Sequence, residues 1–190
     1  LEIKVGSGAY VLDGSEYTAH GLPKVGPFEL TEARALFEAE SAALAAPMIT
    51  DETIAELERL IQVMMGKIDS DMTADEADEE FHLTIAKATN TPAIIYVIGS
   101  MWGMRKEASQ LQKVYRSVCD KDPSHREDEH QAILDALKNR DSSAARIAMR
   151  AHFTRMIEAL LVASEEEAYR AVKKKTSESR SRFLLSAQLD

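Results

Sequence analysis

The chain has one cysteine, Cys119, in 190 residues. A lone thiol cannot close an internal disulfide, so the expected compartment is the reducing cytoplasm. No apolar run approaches the roughly 20 residues needed to span a bilayer, and no signal-peptide pattern opens the chain. No role in a membrane is therefore expected. Basic charge is also short: 23 Lys and Arg stand against 32 Asp and Glu, a net charge of −9. So acidic a surface repels phosphate backbones, and these residues alone are expected to bind nucleic acid poorly; if the intact protein binds DNA, the basic surface is expected outside this chain. There is no internal repeat and no His-Glu-x-x-His zinc-protease motif. The first residue is Leu1, not Met, which is compatible with a truncated or processed product. What remains is 45% hydrophobic and 29% charged. That composition suits one ordinary domain with appendages.

Residues 1–13 alternate like two short strands around Gly6-Ser7-Gly8, which predicts a β-hairpin. Two strands are not stable alone, so they are read as the end of a domain whose beginning is absent. Residues 14–28 carry Gly14, Gly21, Pro23, Gly26 and Pro27 and read as a linker. From 29 to 163 the apolar period is 3.6, predicting an all-α antiparallel bundle of six or seven helices. The first helix is expected from Thr31 to Met48, with Ala33, Phe37 and Leu44 inward. The second follows Thr50, with Ile54, Leu57, Ile61, Met64, Met65 and Ile68 inward. Thr73 with Glu76 spells a capping box for the third, which ends near Asn90. Pro92 opens a fourth towards Val118. Ser124 with Glu127 spells a second box for the fifth, and Asp141 caps the sixth through Leu161. Residues 164–190 are highly charged and read as a tail or an extension of the last helix, with Thr176 to Arg182 solvated or frayed and Phe183-Leu184-Leu185 docking locally.

The chemistry concentrates in four residues. On the third helix Asp78 and His82, at i and i+4, project together from the flank of the core face. On the fifth, His130 falls within the stripe of Ile133, Leu134 and Leu137. On the sixth, His152 falls among Ala145, Met149 and Met156. One inward histidine is ordinarily a hydrogen-bonded core residue. Three of them on separate helices, with an aspartate beside one, point instead to a shared divalent transition metal: zinc first, with nickel or iron as alternatives. His20 and His125 have no such placement and are read as surface residues.

A rival pattern exists. Glu79-x-x-His82 and Glu127-x-x-His130 have the Glu-x-x-His spacing of di-iron bundles. Glu79, however, falls about 160° from the core face, and the scheme leaves His152 without a role. On the first helix Arg34, Glu38 and Ser41 share one side. The plainer reading is a surface Arg–Glu pair; the functional one is a cation at a pocket rim meeting an anion. Trp102 and Met101 are read as core, with a place lining the same cavity as the alternative. Asn90 reads most simply as a helix C-cap.

The run Glu32-Ala33-Arg34-Ala35-Leu36-Phe37-Glu38, with Asp78-Glu79-Glu80-Phe81-His82, Glu129-His130-Gln131-Ala132-Ile133 and Met149-Arg150-Ala151-His152, resembles the effector-binding (FCD) domain of FadR-type regulators in the GntR family. The resemblance covers about Phe28 to Leu161. Val5-Gly6-Ser7-Gly8-Ala9-Tyr10-Val11 is similar to the wing hairpin closing that family's winged helix-turn-helix. The resemblance implies a dimerising helical bundle that binds a small effector and controls an attached DNA-binding domain. Its metal-containing branch uses one aspartate and three histidines, matching Asp78, His82, His130 and His152. Arg34 matches the arginine that meets carboxylate effectors, and the effector-binding set carried forward is Arg34, Trp102 and Asn90. The chain departs from the family in lacking the recognition helix.

The reading is thus the effector-sensing part of a bacterial transcription regulator, a homodimer whose effector is an organic acid. The Phe37-Glu38 stretch is similar to regulators of sugar-acid use, which suggests a sugar acid. The competing class is a metal-dependent hydrolase. Its nearest general base, Glu129, should diverge from His130 by about 100°.

Overall fold

The computed structural model describes residues 2–4, 8–10, 25–107 and 123–186. Strands β1 (Glu2–Lys4) and β2 (Gly8–Tyr10) pair antiparallel, Ile3 opposite Ala9. Six helices follow among the described residues: α1 (Pro27–Ala45), α2 (Asp51–Met64), α3 (Ala74–Ala88), α4 (Pro92–Glu107), α5 (Pro123–Lys138) and α6 (Ser142–Ser186). The all-α bundle and its hairpin are as expected. Most of the 14–28 linker, His20, the far end of the fourth helix, Cys119 and the side chains of Ser124, Leu184 and Leu185 lie outside the described residues.

The helix ends obey local chemistry. Pro27 opens α1, where a missing N–H costs nothing. Thr50 accepts from the Thr53 N–H at 3.2 Å and starts α2. The Thr73–Glu76 box is formed in both directions. Asp141 accepts from the N–H groups of Ser143 and Ala144, both at 2.9 Å. Asn90 and Arg140, at φ 50° and 52°, turn the chain through the left-handed region just after α3 and α5.

Three expectations are corrected. Phe37 and Leu44 are exposed, not inward. The buried face of α1 instead carries Leu30, Arg34, Glu38, Ser41 and a run of alanines. Small side chains let α1 lie close along α6, its most extensive neighbour, where Ser142 Oγ donates to the Ala43 carbonyl at 2.7 Å. Ile68 is exposed because α2 stops at Met64 and Gly66, at φ 62°, turns the chain away. The stretch from Thr176 to Arg182 is helical: α6 runs 45 residues, about 67 Å at 1.5 Å per residue. Its described side chains from Glu165 onwards are exposed, Phe183 included.

Two apolar clusters form the core. The larger joins Ala39, Leu57, Ile61, Phe81, Ile133, Leu137, Met149 and Phe153 from five helices. The smaller joins Leu30, Ile98, Met101, Trp102, Met156 and Leu160. The three inward histidines sit where the clusters meet, against Phe81 and Phe153 of one and Trp102 of the other.

Candidate metal centre

His82 of α3, His130 of α5 and His152 of α6 are all buried, and one ring nitrogen from each lies within 4.8 Å of the other two. The ring centroids are 4.9 to 5.7 Å apart. Nitrogens sharing one ion at bonds near 2.1 Å stand roughly 3.3 Å from each other, so the ligand atoms would draw together by up to about 1.5 Å on holding one.

What lies behind each ring decides which nitrogen faces in. His130 Nδ1 donates to the Arg126 carbonyl at 2.7 Å, and a carbonyl can only accept. His152 Nδ1 is 2.9 Å from Glu129 Oε2. His82 Nδ1 is 2.5 Å from Glu38 Oε2. His130 and His152 are thus anchored through Nδ1, which leaves their Nε2 for the centre, while His82 Nδ1 lies against Glu38 without an aligned hydrogen bond. Outer acceptors of this kind fix the tautomer and orientation of metal-binding imidazoles.

Asp78 completes the set from the side. Its Oδ1 is 3.0 Å from His130 Nε2 and 3.9 Å from His82 Nε2. With its proton on Nδ1, a neutral His130 turns a lone pair on Nε2 towards a carboxylate oxygen. Two acceptors that close need a proton or a cation between them. Arg126 stands 3.5 Å from the same oxygen, and Arg105 donates to Oδ2 at 3.2 Å. Burial would raise the Asp78 pKa, but the surrounding positive charge, that of Arg126 first, outweighs it and holds the carboxyl well below its usual range.

Electrostatics keep the donors ready. Burial pushes His152 down to about 4 against the opposing pull of Glu129, with the neighbouring imidazoles adding to the fall. Burial likewise lowers His82, outweighing Glu38. Neutral imidazole and ionised carboxylate are the forms a metal takes. The donor set of three Nε2 atoms and a carboxylate fits a divalent transition ion better than a hard, all-oxygen one.

Arg34 is neither at the surface nor at a rim: it is 2% exposed. Its Nε donates to Glu38 Oε1 at 2.7 Å, and its guanidinium lies 4.0 Å from the Trp102 ring centre and 4.9 Å from that of Phe153. Burial would raise Glu38, but Arg34 and His82 together hold it down to about 2. Trp102 packs in the smaller core cluster, 5.6 Å from His82, and carries Arg105 at 4.7 Å as well. Its Nε1, the Ser41 hydroxyl, Glu38 Oε2 and both ring nitrogens of His82 are buried with no hydrogen-bond partner among the described residues. Such orphans are rare unless something polar meets them. Asn90 is not brought to this place. It lines an open groove of about 590 Å³ with Met48, Thr53 and Lys87, and none of the three histidines is there.

The di-iron pattern is not formed. Glu79 does not point to solvent but packs half-buried against α4, 2.7 Å from Lys106 Nζ, and Glu127 pairs with Lys67. His125 is exposed, as expected. Three supports went unseen in the sequence. Glu129 diverges from His130 yet reaches across to His152 and Arg155 on α6. Arg105 and Arg126 converge on Asp78 from separate helices, and no local spacing announces them.

Residues 29–155 match the FCD domain family model. The chain belongs to the FCD-domain family. Curated relatives agree. The "Uxu operon regulator" of Haemophilus influenzae is 31% identical over 80% of this chain and 59% of its own length. The "Uxu operon transcriptional regulator" of Escherichia coli K12 is 31% identical over 85% and 66%. The "Exu regulon transcriptional regulator" of the same strain is 28% identical over 80% and 60%. The chain thus spans about three-fifths to two-thirds of the length of these relatives. Among solved structures, a Streptococcus agalactiae GntR protein superposes with TM-score 0.57 at 22% identity, covering 83% of this chain and 73% of that one. McbR/YncC of E. coli gives 0.59 at 23%, covering 76% and 69%. These likenesses show that the FCD domain here has the fold of GntR-type effector domains. The relatives are named as regulators, not enzymes, and Glu129 is engaged by His152 and Arg155, so the hydrolase alternative is set aside.

Proposed function

We propose that this FCD domain is the sensing half of a cytoplasmic transcription regulator, in which Asp78, His82, His130 and His152 hold one divalent transition metal, zinc in the first instance. The observation that carries the reading is the convergence of three buried imidazoles, one ring nitrogen of each within 4.8 Å of the others, with Nδ1 of His130 and of His152 hydrogen-bonded from behind. A metal held there supplies a Lewis-acidic contact for a carboxylate or hydroxyl oxygen. The effector is an organic acid. Arg34 balances its charge, with the unpartnered Ser41 hydroxyl and Trp102 Nε1 offering further polar contacts. A sugar acid suits that mixture of one anion and several hydroxyls, and relatives named for the Uxu and Exu systems give the class a place to start.

Control of operator DNA passes to an N-terminal winged helix for which residues 1–13 supply the wing, with two copies dimerised over a two-fold operator. A tenfold change in DNA affinity requires a difference of only about 1.4 kcal/mol between effector-bound and free states. The test is a thermal-shift panel of sugar acids and simple hydroxy acids on zinc-loaded protein. Stabilisation by a member of the panel that disappears both on chelation and in Arg34→Met is the expected result. Stabilisation that survives both changes refutes the site.

A further inference from the structure

Among the described residues, Glu38 is the carboxylate that touches both Arg34 and His82. It is 2% exposed; Oε1 accepts from Arg34 Nε at 2.7 Å, and Oε2 stands 2.5 Å from His82 Nδ1. The two atoms are close but not aligned as a hydrogen bond, and neither has another partner among the described residues. A residue that merely neutralised Arg34 would have no reason to turn its second oxygen onto an imidazole. His130 and His152 show the same arrangement with other acceptors, the Arg126 carbonyl and Glu129.

We propose that Glu38 is the positioning residue of His82: it holds the ring as the Nδ1–H tautomer, leaving Nε2 bare for the metal, and it joins that ring to Arg34 through a single carboxylate. The assignment rests on the metal reading above for its purpose, though not for its geometry. It has a consequence for the sensor. An acid that draws Arg34 towards itself alters the same carboxylate that orients His82, so effector and metal communicate through one side chain.

A carboxylate has two accepting oxygens, whereas a carboxamide has one. In Glu38→Gln the single oxygen is claimed by Arg34, and the amide NH2 is left facing His82 Nδ1. That donor forces Nδ1 to accept and moves the ring proton to Nε2, where the metal must bind. The double variant Arg34→Met with Glu38→Gln frees the amide oxygen to turn back to His82.

The measurement is the pattern of long-range proton–nitrogen couplings in the imidazole rings of metal-free protein, paired with zinc titration. Wild type is expected to show His82 as Nδ1–H. E38Q is expected to show His82 as Nε2–H with His130 and His152 unchanged, and to bind zinc some 10–100-fold more weakly. The double variant is expected to restore the Nδ1–H form. His82 found as Nε2–H in wild type overturns the proposal. So does an E38Q protein whose His82 tautomer and zinc affinity are unaltered. If E38Q does not fold, the wild-type spectrum decides by itself. A wild type that shows Nδ1–H yet binds no zinc sinks the metal reading and leaves the Glu38 assignment standing.

Discussion

Acid should weaken the metal-free protein before its carboxylates begin to titrate, and His152 sets the size of the effect. In the folded chain burial between His130, His82 and Phe153 pushes its pKa down to about 4 from the 6.5 of a free imidazole. Between those two values the unfolded chain binds a proton that the folded chain refuses. Stability therefore falls as pH falls through 6.5, and the loss is complete near pH 4. At 1.36 kcal/mol per pH unit, the loss from His152 is about 2 kcal/mol by pH 5 and about 3 kcal/mol by pH 4. His82, also lowered by burial, adds in the same direction. The lowered carboxylates act in a lower window: Glu38, held at about 2, gives up its contribution only as pH drops from 4.5 towards 2. Urea unfolding of chelator-treated protein from pH 7.5 to 5 measures the first window without the second. His152→Asn should flatten the profile by the stated amount. A wild-type stability that does not change between pH 7 and 5 would refute the placing of neutral imidazoles in this core.

Other consequences are quicker to check. Phe81→Ala removes a fully buried ring at the junction of α3 with the His130 ring; it should cost about 3–5 kcal/mol by thermal or urea unfolding. Arg34→Met leaves the buried Glu38 carboxylate without its cation. It should cost on the order of 3–5 kcal/mol, and adding Glu38→Leu should recover most of the loss, because the buried charge then goes as well. Glu40, which accepts from Arg146 at 2.8 and 2.9 Å on the open face of α1 and α6, is a contrast. Its replacement by Ala should change stability by less than about 1 kcal/mol, since exposed ion pairs are well solvated without each other. Glu129→Ala removes the acceptor behind His152 and should weaken zinc binding about 10–100-fold in a calorimetric titration.

The legible parts of this chain were those written in local chemistry. Thr73 with Glu76, Asp141, and proline at position 92 mark helix starts that depend only on near neighbours, and the structure keeps all three. The inward histidines were legible because each falls among aliphatic residues at helical spacing. On α1 the same rule failed. Large apolar side chains there face out, while the inner face is built of alanines and the charged pair Arg34 and Glu38, whose burial depends on Trp102, Phe153 and His82 from other helices. Glu129 was judged by its angle to His130 on its own helix, but its partner is His152 on the next one. Arg105 and Arg126 meet at Asp78 only after α4 and α5 have packed against α3. Asn90 was grouped with the effector residues on the strength of a resemblance, whereas its left-handed backbone serves the end of α3.

X-ray absorption at the zinc edge, on protein purified without a metal-affinity tag, stripped and reloaded with one equivalent, addresses the convergence of His82, His130 and His152 most directly. The account predicts one ion per chain, a first shell of nitrogen and oxygen near 2.0–2.1 Å, and outer-shell scattering from three imidazoles that falls to two in His152→Ala. A protein that takes up no ion when reloaded, or whose bound ion shows the same imidazole scattering after that substitution, contradicts it.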